Sequence, residues 1–322
     1  MDVDITRRCP PIHVRNVTDT AWRRVCQTSA MFTRVDRIQM AVPDRAAAAR
    51  GWKELLGAEP DGDDAVACLG ARRTRYRLGN GWVELLEPDG AGPIADAVAA
   101  RGGHLFAGGM ATPDVAAFVA HLRTQGVEAP EEGGQLFLDT AHTGDHGLRL
   151  VVSMDDGALP SVGAIDQFYE VTNLVENAAA TVKEYVTRFG MEDKAFTPIS
   201  SDEFGYEGTL TLLADDRLDR FEVITPTDSD KTMGRYFGKF GESLYMCFAE
   251  SGDLDGIQER CAAAGAPFTR VPSVEQRPEL ADTVFLHPPA LGGMMLGLSR
   301  RSVAWVWSGH PERVVPWREV AP

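Results

Sequence analysis

The pattern of hydrophobic and polar positions predicts a strand followed by a helix at two places along the chain. Residues 35–42 (VDRIQMAV) form a short run that is rich in apolar and β-branched side chains, which is typical of a strand. The helix that follows is predicted to begin at Asp44, a good N-cap, and to end at Gly57, which easily adopts the left-handed C-cap conformation. The same strand and helix are predicted again at 165–172 and 175–190.

Further elements follow in the same order in both halves of the chain. Each half continues with a strand that ends in the pattern E-x-x-x-P, a short helix, another strand, a second helix and a closing hairpin. These elements are predicted at 82–88, 92–101, 105–111, 115–126 and 136–153, and again at 220–226, 231–240, 244–249, 254–265 and 283–299. The two halves are offset by about 130 residues, whereas solenoid repeats are about 20–50 residues long. The pattern therefore indicates two duplicated modules.

The last hairpin carries the most specific sequence pattern. Residues 283–300 (TVFLHPPALGGMMLGLSR) predict two strands around a turn that contains Pro288 and Gly292. This stretch resembles the last hairpin of methylmalonyl-CoA epimerases and other vicinal oxygen chelate (glyoxalase-like) proteins. The resemblance covers about residues 33–300 of the 322-residue chain. It implies an α+β fold of two tandem glyoxalase-like modules, each with paired βαβββ units that form curved mixed sheets around a cleft.

Composition and pattern divide the chain into five segments. We predict an N-terminal extension (1–31), a first module (32–154), a linker rich in Asp, Gly, Ser and Pro (155–163), a second module (164–300) and a C-terminal tail (301–322). The tail contains Trp305, Trp307 and Trp317, and we expect these aromatic residues to pack against a module.

The overall composition limits the classes of partner and compartment. A formal net charge of −15 disfavours nucleic acid as a partner, because phosphate binding requires a basic surface. The five cysteines are scattered and form no C-x-x-C motif, which favours reduced thiols in a cytoplasmic protein. No apolar run approaches the ~18 residues of a membrane span, and the N-terminus has no apolar signal-peptide core. We expect a small-molecule ligand, no membrane, and a monomer or homodimer, since a tandem chain can pair its own modules.

The resemblance also identifies the positions where family members bind a divalent metal. Each module of the family has four such places, typically filled by histidine or glutamine, glutamate or glutamine, histidine, and glutamate. In the first module they fall on Arg37, Glu84, Ala107 and Val151. In the second they fall on Gln167, Glu222, Tyr245 (or Met246, if the register shifts by one) and Gly297. Arginine has no lone pair to give to a metal, and neither set contains a histidine. We therefore expect degenerate metal sites and no cofactor.

Histidines elsewhere in the sequence leave one alternative open. His142 and His146, with Asp139 and Asp145, form either an adventitious metal cluster or a set of solvated turn residues. His104 is the histidine nearest to one of the positions at which the family binds its metal.

The preferred functional hypothesis is metal-independent acid–base chemistry. Glu84 and Glu222 would act as general bases on a proton next to a carbonyl group, and Tyr245 would donate a hydrogen bond to the resulting oxyanion. Arg37 would pair with a substrate carboxylate, and Gln167 would orient a carbonyl. These roles predict an isomerase, epimerase or lyase that acts on a small oxygenated substrate. The alternative for the two glutamates is a structural role, in which they pair with arginines in the sheet.

Two other functions stay open from the sequence. In the bleomycin-resistance branch of the superfamily, the cleft sequesters a drug or metabolite without chemistry. Phe168 and Met295 would line such a cleft, and Gly297, in the place of the family glutamate, would leave space for a bulkier ligand. The third function, which we favour least, is a metal-dependent lyase or dioxygenase with unusual ligands.

Overall fold

The computed structural model describes residues 31–157, 159–271 and 283–315. The first 30 residues of the N-terminal extension, and Trp317 in the tail, lie outside this range. The described chain forms an α+β fold with two eight-stranded mixed sheets. No helix among the described residues is long and apolar enough to cross a membrane.

The two sheets have the same strand order, as expected for duplicated modules. The first sheet runs β2-β3-β4-β1-β5-β8-β7-β6 and consists of β1 (Arg34–Ala41), β2 (Glu59–Val66), β3 (Ala71–Leu78), β4 (Gly81–Pro88), β5 (His104–Thr112), β6 (Glu131–Glu132), β7 (Gln135–Leu138) and β8 (Leu150–Met154). The second runs β10-β11-β12-β9-β13-β16-β15-β14 and consists of β9 (Gln167–Leu174), β10 (Phe196–Ser201), β11 (Tyr206–Leu212), β12 (Arg220–Pro226), β13 (Ser243–Ser251), β14 (Phe268–Val271), β15 (Thr283–Leu286) and β16 (Met295–Arg300).

Apart from the short α4, which lies in a stretch predicted as a loop, the helices begin and end close to the positions that the sequence predicts. They are α1 (Arg45–Leu56), α2 (Pro93–Arg101), α3 (Val115–Thr124), α4 (Thr140–Thr143), α5 (Ala178–Phe189), α6 (Thr232–Phe240) and α7 (Leu254–Ala264). Asp44 caps α1 by accepting a hydrogen bond from a backbone N–H, and Asn177 does the same for α5. Gly57 and Gly190 end these helices in the left-handed conformation. The predicted caps are confirmed.

Six strands lie outside the predicted ranges: β6 and β14 at one edge of each sheet, and β2, β3, β10 and β11 at the other end. The latter four form a hairpin at the outer end of each sheet, and several of their side chains are exposed. A strand such as Glu59–Val66 (EPDGDDAV) has no hydrophobic alternation, because it is held by its neighbour and not by burial.

The two modules share one hydrophobic core and touch closely through their hairpin turns. Gly293, which follows the turn of the last hairpin, lies so close to Gly103 that an added Cβ would be 1.9 Å from the Gly103 carbonyl oxygen. Gly147, in the loop before β8, lies equally close to the backbone of Glu242 in the second module. Each closing hairpin thus contacts the segment leading into the central strand of the other module, which fixes the modules against each other.

The described part of the C-terminal tail packs on the second module. Arg220, on β12, donates hydrogen bonds to the Ala304 carbonyl (2.9 Å) and to the Ser308 hydroxyl (2.6 Å). The Trp307 ring lies 5.9 Å from the ring of Phe248 on β13, measured between centroids. The expectation that the tail packs against a module is confirmed for these residues.

Candidate functional site

A β-bulge in the first strand of each module decides which side chains face the concave side of the sheet. In β1 the extra residue is Asp36, and Arg37 pairs with Trp82, two residues before Glu84. In β9 the extra residue is Tyr169.

The bulge corrects the alignment of the two modules. Glu170 pairs with Arg220, two residues before Glu222, so Glu170 is the counterpart of Arg37. The sequence had placed Gln167 in this position, which is wrong by three residues. Gln167 instead donates a hydrogen bond to Glu250 (3.0 Å), away from Glu222.

A second bulge settles the register that the sequence left open at the third metal place. Thr172 pairs with Met246 and Asn173 pairs with Leu244, so Tyr245 is the extra residue. Tyr245 and Met246 therefore both belong to the hydrophobic cluster on the concave face of the second module.

Glu84 lies at the centre of the first module's concave face and is fully buried. Its carboxylate accepts hydrogen bonds from Arg37 (2.9 Å), Arg73 (3.1 Å), Gln39 (2.7 Å) and Gln135 (3.1 Å). Burial favours the neutral acid, but the two arginines and the two amides outweigh it and lower the pKa of Glu84 below its usual value. Glu84 is therefore a carboxylate with four donors, as expected for the structural alternative.

Glu222 occupies the equivalent position in the second module, but its pKa is shifted in the opposite direction. Burial, and next the charge of Glu170, raise the pKa of Glu222 to about 8. The Thr172 hydroxyl donates a hydrogen bond to the Glu222 carboxyl group (2.7 Å), and Arg220 forms an ion pair with Glu170. Glu222 keeps 7% of its surface exposed, whereas Glu84 has none. The two carboxyl groups form a dyad in which Glu222 is protonated at neutral pH.

The contrast between the two glutamates follows from the residues around them. In the first module Arg73 pairs with Leu86, two residues after Glu84. The matching position in the second module, opposite Ile224, is Gly208. The cation at Arg37 is likewise replaced by the carboxylate of Glu170. The second module therefore has no equivalent of Arg37 or Arg73, the two cations that stabilise the charge of Glu84.

Aromatic and thioether side chains surround the dyad. The Tyr245 ring lies edge-on to the Tyr236 ring, and burial raises the pKa of the Tyr245 phenol to about 12. Burial also raises the pKa of Tyr206, as do the nearby charges of Glu222 and Glu170. The remaining apolar members of this face are Leu174, Ile199, Ile224, Met233, Phe237, Met246, Phe248, Phe285 and Met295.

The predicted ligand-binding residues have mixed outcomes. Met295 is half-buried and belongs to the concave cluster. The space expected beside Gly297 is filled by the Phe248 ring, which would lie 2.3 Å from an added Cβ, so that prediction is wrong. Phe168 lies in the main core with no exposed surface, because it precedes the bulge and points away from the cleft. Its assignment as a cleft residue is also wrong.

Sequence reasoning missed three residues of the dyad environment: Glu170, Thr172 and Tyr206. The bulge at Tyr169 hides the first two, because it changes the parity of β9 in a way that no local pattern signals. Tyr206 lies on β11, one of the strands that the sequence did not predict.

The four family metal places do not fit a divalent ion in either module. In the first, the arginine at position 37 is ion-paired with Asp36 and Glu84, and Ala107 and Val151 offer no donor atom. In the second, Glu170 is ion-paired with Arg220, and Phe248 covers the fourth place. Within the described ranges no three His, Cys, Asp or Glu side chains lie close enough to hold a metal.

The histidines considered as an adventitious metal cluster have other partners. His142 forms a capping box with Asp139 at the start of α4. His146 contacts the carboxylates of Glu184 and Glu242, each at 3.1 Å. They are loop and cap residues, as in the second of the two interpretations.

Comparison with solved structures identifies the fold. The chain is similar to a triple mutant of 4-hydroxymandelate synthase from Streptomyces coelicolor (16% identity, TM-score 0.66), with 88% of this chain and 97% of that chain covered. It is also similar to a xylose isomerase-like TIM barrel/4-hydroxyphenylpyruvate dioxygenase fusion protein (15% identity, TM-score 0.58), with 91% and 53% covered. A methylmalonyl-CoA epimerase from Mycobacterium tuberculosis matches 45% of this chain and 93% of its own at 16% identity, with a TM-score of 0.37.

These similarities define the class of fold. The chain has the vicinal oxygen chelate fold in two tandem modules, so the fold that the resemblance implied is confirmed. No family model and no curated protein matches the sequence. At identities of 15–16% the neighbours establish the fold and leave the reaction to the residues of the site.

Proposed function

We propose that this protein is a metal-independent isomerase, epimerase or lyase that transfers a proton on a small carbonyl-containing substrate, at the concave face of the second module. The observation that carries the proposal is the dyad of Glu222 and Glu170. A carboxyl group whose pKa is raised by burial and by a neighbouring carboxylate is a common arrangement for acid–base catalysis. Support also comes from the donor sets at the family metal places, which do not suit a divalent ion.

In this proposal Glu222 is the group that exchanges a proton with substrate. Its raised pKa, about 8, keeps Glu222 mostly protonated at pH 7 and lies near enough to that pH for Glu222 to donate or accept a proton without a large penalty. Arg220 forms an ion pair with Glu170 and holds its side chain beside Glu222. Tyr245 keeps its phenolic proton and supplies a hydrogen bond to a developing oxyanion. The aromatic and methionine side chains hold the apolar part of the substrate and exclude water.

The second candidate function is ligand sequestration. The half-buried wall formed by Phe285, Met295 and Phe248 favours it, since such surfaces bind flat apolar molecules without any chemistry. The two functions differ in one measurable property: an enzyme exchanges a proton on its bound ligand, and a sequestering protein does not.

A proton-exchange experiment tests the proposal. Protein dialysed against EDTA is incubated in D₂O with a panel of 2-oxo and 3-oxo carboxylic acids and acyl thioesters, and loss of the proton next to the carbonyl is followed by ¹H NMR. We expect catalysed exchange with at least one compound, at a rate that the chelator does not change. Exchange that disappears on chelation and returns with a divalent metal contradicts metal independence.

The raised pKa of Glu222 also makes a prediction that needs no substrate. Because the folded-state pKa of about 8 lies above the unfolded value of about 4.5, the native state binds this proton more tightly. The stabilisation is complete below about pH 4.5 and is lost as the pH rises to 8 and beyond.

The test is the free energy of urea unfolding, measured for wild type and for Glu222→Gln from pH 5 to 9. The variant lacks this titration, so we expect the difference between the two proteins to shift in favour of the variant with rising pH, by on the order of a few kcal/mol. A difference that stays constant over this interval contradicts the raised pKa.

A further inference from the structure

A pocket lies on the concave side of the first module, where that module meets the second, and it does not include the Glu222–Glu170 dyad. It has a volume of about 540 Å³ and is bounded by the concave face of the first sheet and by the end of α6 and the start of β13 of the second module. Gln39 and Ala107 line its sheet side, and Phe106 and Phe137 supply aromatic surface. Glu170 and Glu222 are not among its lining residues.

Arg149 brings a positive charge to this pocket without a direct hydrogen-bonded or ion-paired partner among the described residues. It is half-buried, and its guanidinium lies over the Phe106 ring at 4.9 Å from the centroid. Among the residues that the structure describes, no hydrogen bond or ion pair satisfies this guanidinium. Burial lowers the pKa of Arg149, the charge of Asp139 opposes this shift in part, and the positive charge of Arg101 adds a smaller lowering. An anion in the pocket would remove this electrostatic cost.

Arg101, at the end of α2, provides a second cation on the same wall. Its guanidinium lies over the Phe240 ring at 4.4 Å and donates a hydrogen bond to the Tyr236 hydroxyl. The Nε atom of Arg101 is buried and has no hydrogen-bond partner in the described part of the chain. His104, between these groups, is neutral, because burial and the two arginine charges lower its pKa to about 4.

A polar atom without a partner lies on the sheet side of the pocket. The Gln39 amide nitrogen donates to the Glu84 carboxylate (2.7 Å), and a charged carboxylate can only accept, so the orientation of the amide is fixed. The Gln39 Oε1 atom is therefore the free end, and within the described residues no donor reaches it. A buried acceptor without a donor costs about 1–3 kcal/mol. A hydrogen-bond donor on a ligand would satisfy this oxygen.

The acidic residues around the pocket are engaged elsewhere. Asp139 accepts the hydrogen bonds of the α4 capping box. Glu242 accepts from the Glu176 backbone N–H (2.8 Å) and contacts His146. Asp96 is exposed in the first turn of α2. Within the described residues none of these carboxylates forms an ion pair with Arg149 or Arg101, so both guanidinium groups can pair with an anion in the pocket.

We propose that this pocket binds a small organic carboxylate that has an apolar or aromatic body and a hydroxyl or amino group at its far end. Its carboxylate pairs with Arg149 and Arg101, its body lies against Phe106 and Phe137, and its terminal donor bonds to Gln39 Oε1. This site is independent of the proposed reaction at Glu222.

Calorimetric titration with three related probes tests the site. The probes are 3-(4-hydroxyphenyl)propionate, 3-phenylpropionate, which lacks the terminal donor, and 4-ethylphenol, which lacks the carboxylate. We expect wild type to bind the first at least about fivefold more tightly than the second, and to bind the third more weakly still. If neither carboxylate binds at millimolar concentration, the proposal is wrong.

Variants assign the binding to this pocket. Arg149→Gln and Arg101→Gln are each expected to weaken binding of the first probe by tenfold or more. Arg123→Gln, at an exposed position on α3, is the matched control and should bind as wild type does. Because burial disfavours the charge of Arg149, and no carboxylate of the described residues forms an ion pair with it, its variant should fold at least as stably as wild type, which thermal unfolding checks. Equal binding by Arg149→Gln and wild type overturns the proposal.

Two further readouts distinguish this site from the proposed active site. The ring signals of His104 should shift in NMR on binding of the probe, since an anion near the arginines raises its pKa. The methyl signal of Met295, on the concave face of the second module, should stay unchanged. A shift of the Met295 signal, together with an unchanged His104, would place the carboxylate at the dyad and overturn this proposal while leaving the proposed function intact.

Discussion

Replacement of Glu222 by glutamine is expected to reduce proton transfer by about 10²–10⁴-fold, the usual contribution of a positioned general acid or base. Because Glu222 is neutral at pH 7 in the folded protein, a neutral amide of the same shape preserves its packing and can still accept from Thr172. The loss should therefore appear in kcat, with little change in substrate affinity. The rate of exchange in D₂O and the binding of the same compound are measured in parallel.

The control for this experiment is Glu207→Gln, which removes an exposed carboxylate from the neighbouring strand β11. It should retain the wild-type rate. If Glu222→Gln exchanges protons as fast as wild type, the acid–base role of the dyad is wrong. If wild type binds compounds of the panel and exchanges none of their protons, the second candidate function, sequestration, replaces catalysis.

The same substitution at the equivalent position of the first module, Glu84→Gln, should reduce the stability of the fold rather than the rate of proton transfer. Glu84→Gln is expected to destabilise the fold by about 3–5 kcal/mol at pH 7, because it removes the charge that neutralises Arg37 and Arg73 inside the sheet. Glu222→Gln should change the stability far less at this pH. Urea unfolding followed by circular dichroism compares the two variants directly.

The pH dependence of the Glu84 variant provides an internal check. The folded-state pKa of Glu84 is lowered, so its contribution to stability is present above the unfolded value of about 4.5 and is lost as the pH falls through the folded value. The destabilisation by Glu84→Gln should therefore shrink in acid. A loss below about 1 kcal/mol at pH 7 would contradict the buried ion-pair network.

The proposal assigns different tasks to two glutamates that the sequence treats alike. Both lie in the pattern E-x-x-x-P, and both were expected to act as bases. Each pKa depends on side chains from other strands, and these meet the glutamate only once the sheet has formed. The cations Arg37 and Arg73 lie 47 and 11 residues from Glu84.

Local patterns of the sequence determined the fold. Apolar runs, cap residues at the ends of α1 and α5, and the Pro/Gly turn of the last hairpin act over a few residues, and their recurrence revealed the two modules. The position of the tail also followed from its composition, since its aromatic side chains need a surface to cover them.

Only the tertiary structure decided what each concave face contains. The bulges at Asp36 and Tyr169 change the parity of the first strands, so Glu170 faces Glu222 while Phe168 enters the core and Gln167 turns away. A bulge depends on hydrogen bonding between strands that are far apart in the chain, so no local pattern encodes it. The same holds for charge: the sequence supplied two equivalent glutamates, and the surrounding strands made one a buried carboxylate and the other a protonated acid.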